Sequence, residues 1–142
     1  MDTATRAGTG RGLFDRDALA LGVADLAVLV ALILVGQRSH DVNIVTEPLA
    51  SLETIVPFAI GWIAASILVG LYARGVATTP SRVARLTAVS WIAAANVGFI
   101  LRGSPVFAGD APWTFTVVMT GTGLVALVGW RVAYAVYATR SA

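Results

Sequence analysis

Long apolar runs separated by short polar stretches set the pattern of this chain. Four runs stand out, at 18–36, 55–73, 83–101 and 113–137. Each holds at least 19 residues. At about 1.5 Å per residue, 19 residues reach roughly 28 Å, enough to cross a hydrocarbon core of about 30 Å with anchors at both ends. The pattern predicts four helices. Asp15 and Asp17 lead into the first, and either can cap it. Pro57 is expected in the first turn of the second, where a missing N–H does no harm. Pro80-Ser81 lead into the third run and Pro112 precedes the fourth. The first twelve residues are small, polar and Gly-rich, and read as a flexible cytoplasmic tail before a single domain at 13–142. A secretory signal is the competing reading, but the first run is too long for one and Val35-Gly36-Gln37 is a poor cleavage site.

Composition agrees with a bilayer as the solvent. The chain is 57% apolar and 13% charged, with a mean hydropathy of +0.80. A soluble domain is nearer 45–50% apolar and about a quarter charged. All ten basic residues are arginine, and they sort by side. Arg6, Arg11, Arg16, Arg74, Arg82, Arg85 and Arg140 fall on one side of the predicted spans; Arg38 and Arg102 fall on the other. That asymmetry predicts both termini in the cytoplasm of a multi-pass plasma-membrane protein. It also explains the basic balance better than nucleic acid would, so no nucleic-acid partner is expected. The fold expected is all-α, a four-helix transmembrane bundle running up-down-up-down. Tyr72 and Trp113 are placed at opposite interfaces as aromatic anchors.

Charge inside a span is costly, about 2.5–3.5 kcal/mol at the centre on insertion scales, so its sites are informative. Asp25 lies in the first run and Arg131 in the fourth. Both sit roughly 9–10 Å from the cytoplasmic end by helical rise, which predicts an Asp25–Arg131 pair. The pair is read either as a structural clasp or as part of a proton or ion relay; one acid facing one arginine favours the clasp. Asn96, Thr116 and Thr120 are the candidates for a polar track, with Thr116, Thr120, Gly123, Leu127 and Arg131 sharing one face of the fourth helix. At the outer ends, Arg38, Ser39, His40 and Arg102 form a candidate rim cluster in which two guanidiniums converge, near Glu47, Glu53 and Asp110. Small residues recur at four-residue spacing, among them Ala20/Ala24, Ala27/Ala31, Gly61/Ala65 and Ala94/Gly98, and permit close helix contact.

The chain has no cysteine and a single histidine. No thiolate or multi-histidine metal site can be built, and no cofactor is expected. No Gly-rich phosphate loop, nucleophile elbow or HExxH occurs, so no catalytic residue is named and an enzyme is not expected. Three functions are weighed. The first is a small transporter or channel-like protein for an unidentified small molecule or ion, as a homodimer because four helices make a thin pore. The second is an interaction or assembly subunit. The last is an intramembrane enzyme acting on lipid.

Certain segments resemble a family of small membrane proteins catalogued as domain of unknown function 3054. They are Gly36-Gln37-Arg38-Ser39-His40, Gly98-Phe99-Ile100-Leu101-Arg102 and Gly129-Trp130-Arg131, with Asp25, Trp62 and Trp91. The resemblance runs over about residues 15–137 and implies a four-helix membrane fold without an assigned activity. The family segment carries a second arginine where Gln37 stands, so a two-arginine role there does not carry over.

Overall fold

A computed structural model describes residues 16–107 and 110–141. Among these residues there are four helices and no strand: α1 (Arg16–Arg38), α2 (Pro48–Val69), α3 (Pro80–Arg102) and α4 (Trp113–Ser141). Each is long and apolar enough to cross a membrane. The tail at 1–12 and Asp15 lie outside the described residues, while Asp17 occupies the first turn of α1.

Two boundaries of the second helix differ from the expectation. It begins at Pro48, where a proline in the first turn is preorganised for helix and has no N–H to leave unpaired. Pro57 therefore lies inside α2, not in its first turn. It gives the Glu53 carbonyl no N–H to accept from. At the other end α2 stops at Val69, because Gly70 takes the left-handed conformation at φ +83°. The Gly70 N–H donates to the Ile67 carbonyl and the Leu71 N–H to that of Ser66. These are the two bonds of a Schellman cap. Leu71 is fully buried behind it. The reversal leaves Tyr72 in the turn beyond α2, not within the helix.

α3 packs along both α2 and α4, and α1 touches α2 and α4 much more sparsely. Close backbone approach fixes the central contacts. A Cβ on Gly61 of α2 would stand 2.4 Å from the Ala94 carbonyl oxygen of α3. A Cβ on Gly123 of α4 would stand 2.2 Å from the Trp91 indole. Of the spaced pairs, Gly61, Ala65, Ala94 and Gly98 do bury, whereas Ala20, Ala27 and Ala31 stay exposed. The core is aromatic at its centre. Phe58 meets Phe99 edge to face with centroids 5.3 Å apart and lies 6.1 Å from Trp91. The Trp91 indole N–H donates to the Thr120 carbonyl, 2.9 Å away. On α4 the buried stripe is Met119, Gly123, Leu127, Arg131 and Ala135, with Thr116 and Thr120 at its half-buried edge.

Candidate functional site

Two polar features lie at opposite ends of the bundle, and α1 contributes to both. The first is built on Asp25, which shares the inward face of α1 with Leu29 and Ile33 at helical spacing. Arg131 projects from the buried stripe of α4 at the same depth. Both side chains are fully buried. The Arg131 Nε donates to Asp25 Oδ1 at 2.9 Å and its Nη2 to Oδ2 at 3.1 Å. That fork-to-fork geometry is the strong form of a charge-assisted pair.

Two further donors complete the carboxylate. The Trp130 indole N–H reaches Oδ1 at 2.9 Å, and the Tyr72 hydroxyl reaches Oδ2 at 2.6 Å. The Trp62 indole in turn donates to the Tyr72 oxygen at 3.3 Å. The Arg131 guanidinium carbon lies 5.2 Å from the centroid of the Tyr72 ring, within cation–π range. A carboxylate has about four lone-pair sites, and Asp25 meets four donors. The cluster thus ties α1, α2, α4 and the turn after α2 into one network. Burial, and then the negative charge of Asp25, push the Tyr72 phenol from 10.0 up to about 12. The phenol therefore stays protonated and donating across the physiological range. Arg131 Nη1 is buried without a hydrogen-bond partner among the described residues.

Sequence reasoning found Asp25 and Arg131 but missed Tyr72 and Trp130 as their partners. Tyr72, which the sequence pattern assigns to the interface, is half-buried and hydrogen-bonded to Asp25. The adjacency of Trp130 to Arg131 was the available signal. Trp113, by contrast, is exposed at the start of α4.

The second feature is a cleft of about 680 Å³ at the opposite end, between α1, the start of α2 and the start of α4. Its walls are mostly apolar: Leu32, Ile33, Val35, Phe115, Val118 and Met119. Its polar rim holds Gln37, His40, Glu53, Thr54 and Arg102. The Arg102 Nε donates to the Asp110 carbonyl at 2.7 Å, and its Nη1 donates to the Thr54 hydroxyl. Its guanidinium carbon lies 4.9 Å from the Phe115 centroid.

The expected rim cluster is only partly assembled there. Arg38 and Ser39 are exposed and do not line the cleft, so Arg38 and Arg102 do not converge on it. One residue of helix is about 100° of rotation, and it is Gln37 that faces inward. The Gln37 amide nitrogen donates to the Ser51 carbonyl at 3.4 Å, and its Oε1 is buried with no partner. The polar track is not assembled in the interior either. Asn96 is exposed, with its amide donating to Ile92 of its own helix. Thr116 bonds back to the Pro112 carbonyl. No group of three or more His, Cys, Asp or Glu that could hold a metal occurs among the described residues.

Residues 22–134 match the family described as protein of unknown function (DUF3054). The chain belongs to that family. The DUF3054 match takes in Asp25, Gln37, Glu53, Tyr72, Arg102 and Arg131, so both features lie within the family segment. Its description passes no activity to them. No curated protein and no solved structure matches the chain.

Proposed function

We propose that this multi-pass membrane protein is a small transporter of the plasma membrane, with its helices running up-down-up-down and both termini cytoplasmic. The outer cleft is its substrate chamber and the Asp25 cluster its cytoplasmic gate. One observation carries the reading: a chamber of about 680 Å³ lies at one end of the bundle, while at the other, beside a smaller cleft of about 230 Å³ between α1 and α2, a carboxylate holding four donors ties α1 to α4. A large chamber at one end and a clasp between α1 and α4 at the other suit one state of an alternating-access protein. The arginine asymmetry supports placing the Asp25 end at the cytoplasm. Intramembrane ionisable groups in an interior network commonly serve passage, which supports a gate over a passive clasp. The sparse packing of α1 supports it as the moving element. The exposed Ala20, Ala27 and Ala31 on α1 suit the close approach of a second copy, which would complete the chamber wall. On this reading the chain is not an enzyme. An assembly subunit is the alternative, and stoichiometric co-purified partners together with a chamber that never opens inward would favour it.

The absence of native cysteine makes the test clean. Thr122→Cys lines the chamber, Val45→Cys sits in the loop after α1, and Arg74→Cys sits in the turn after α2. With a membrane-impermeant maleimide, Thr122→Cys and Val45→Cys are expected to label from outside in the otherwise native chain, and Arg74→Cys from inside. Adding Asp25→Asn or Arg131→Gln should open Thr122→Cys to reagent from inside. Labelling of Thr122→Cys that ignores both gate substitutions rejects the gate. Reversed labelling of the two loop sites rejects the orientation.

A further inference from the structure

The cleft has a chemical bias. Among the described residues the Glu53 carboxylate makes no ion pair and accepts no hydrogen bond, although it is half-buried at the rim. Gln37 lines the same cleft; its Oε1 is out of reach of solvent and has no donor, and a turn of the side chain, held by a 3.4 Å bond to the Ser51 carbonyl, presents it to the cleft. Pro57 leaves the Glu53 carbonyl without its helical N–H. A buried acceptor without a donor is costly, and a bound donor relieves that cost. Among the described residues the one arginine lining the cleft already gives two of its N–H groups to the chain. Arg102 donates to Thr54 and to the Asp110 carbonyl, lies over Phe115, and has both Glu53 and Asp110 near enough to act on it. The rim is thus rich in unused acceptors, and its arginine is held by the chain's own groups. Beneath the rim the walls are aliphatic and aromatic, and a volume of about 680 Å³ falls within the roughly 300–1,000 Å³ of sites for small organic ligands.

We propose that the cleft binds an amphipathic amine: a hydrocarbon body seated against Leu32, Ile33, Val118 and Met119, and a protonated amino head hydrogen-bonded to Glu53 and Gln37. An ammonium supplies three donors and no acceptor, which complements the two unpartnered acceptors. A carboxylate head would meet the Glu53 charge, and only the N–H groups of Arg102 not already given to Thr54 and the Asp110 carbonyl would be left to it. An alcohol would supply a single donor and no charge. This assignment rests on the reading of the cleft as a ligand chamber but not on transport, since binding is measured without flux or gating.

The probes are three twelve-carbon chains that differ only in their heads: dodecylamine, dodecanol and dodecanoate. Equilibrium binding at neutral pH uses the full chain in nanodiscs of neutral lipid, with empty nanodiscs subtracted. Dodecylamine is expected to bind at least tenfold more tightly than either other probe. That preference should vanish in Glu53→Gln and shrink severalfold in Gln37→Leu, while dodecanol binding holds in both, which also reports that each variant is folded. Tighter binding of dodecanoate would reassign the cleft to anions through Arg102. Equal binding of dodecanol and dodecylamine, or a preference that survives Glu53→Gln with dodecanol binding intact, would overturn the assignment. Should both rim variants lose dodecanol binding as well, the native chain must favour dodecylamine over N-dodecylacetamide, which has the same chain, one N–H and no charge, or the assignment fails. Loss of amine binding with the gated labelling intact would leave the transporter reading standing and remove only this ligand class.

Discussion

Asp25 accepts from Arg131 twice, from Trp130 and from Tyr72. Removing either member of a buried ion pair strands the other, at a cost of about 3–5 kcal/mol, while removing both costs far less. Asp25→Asn and Arg131→Gln alone should therefore each lower the thermal midpoint in detergent sharply, and the double variant should recover part of the loss. Additive losses would show that the two side chains do not share one energy term. Tyr72→Phe removes one hydrogen bond to a charged acceptor, about 1.5–3 kcal/mol, and should cost less than either. The phenol has its own pH signature. Its proton is held more tightly in the fold than in the unfolded chain, at about 12 against 10.0. Its contribution is therefore complete below pH 10 and lost as pH rises through about 12. A tyrosinate absorbance titration, with Tyr72→Phe subtracted, should show this residue deprotonating later than an exposed phenol; an ordinary titration near 10 would contradict the contact. Depth made Asp25 and Arg131 legible in the sequence, because two lone charges at one level in a low-dielectric slab have few other partners. Tyr72 was not legible, because an aromatic near a helix end is explained equally well by the interface. Gln37 was hidden by Arg38, since the rotation that turns one inward and the other outward is set by how α1 packs.

Helices of this bundle are held close by residues too small to keep them apart. Gly123→Ala would drive a methyl into the Trp91 indole, which is pinned by its bond to the Thr120 carbonyl. Gly61→Ala would meet the α3 backbone itself, which has less freedom to yield. Overpacking costs about 1–3 kcal/mol, so both should lower the thermal midpoint, with Gly61→Ala the more severe. Gly129→Ala, which meets nothing within 4 Å, serves as the neutral control. A midpoint unchanged in all three would mean the helices can separate without penalty. The same scale explains where the helix limits were readable. Apolar length marked four helices, since nothing else keeps runs of this size out of water. It misjudged α2, whose first two turns carry Ser51, Glu53 and Thr54 and look like loop. It also ran past Val69, because hydropathy continues through Leu71 and Tyr72 while the backbone reverses at Gly70. The left-handed cap is a conformational signal, and an apolar run does not contain it.

Across the molecule, α1 has an unequal share of the packing and of the polar chemistry. It contacts α2 and α4 sparsely, yet it supplies Asp25 to the clasp at one end and Leu32, Ile33 and Gln37 to the larger cleft at the other. The two ends hold it differently. Around Asp25 it is tied by four hydrogen bonds, whereas around the cleft a space of about 680 Å³ separates it from α4. Local opening follows contact density and hydrogen bonding, so α1 should pivot about Asp25 with its outer half the freer. Hydrogen exchange in nanodiscs should then show amides at 32–38 exchanging faster than those at 22–29, and faster than the α2–α3 contact around Gly61 and Ala94. Breaking the pair with Arg131→Gln should extend fast exchange down to 22–29 and leave the α2–α3 contact protected, because Gly61 and Ala94 do not depend on α1. Uniform protection along α1 in the native chain would mean that the cleft is bounded by a rigid wall. The Asp25 cluster would then be a clasp rather than a gate, and the chamber would have no moving part.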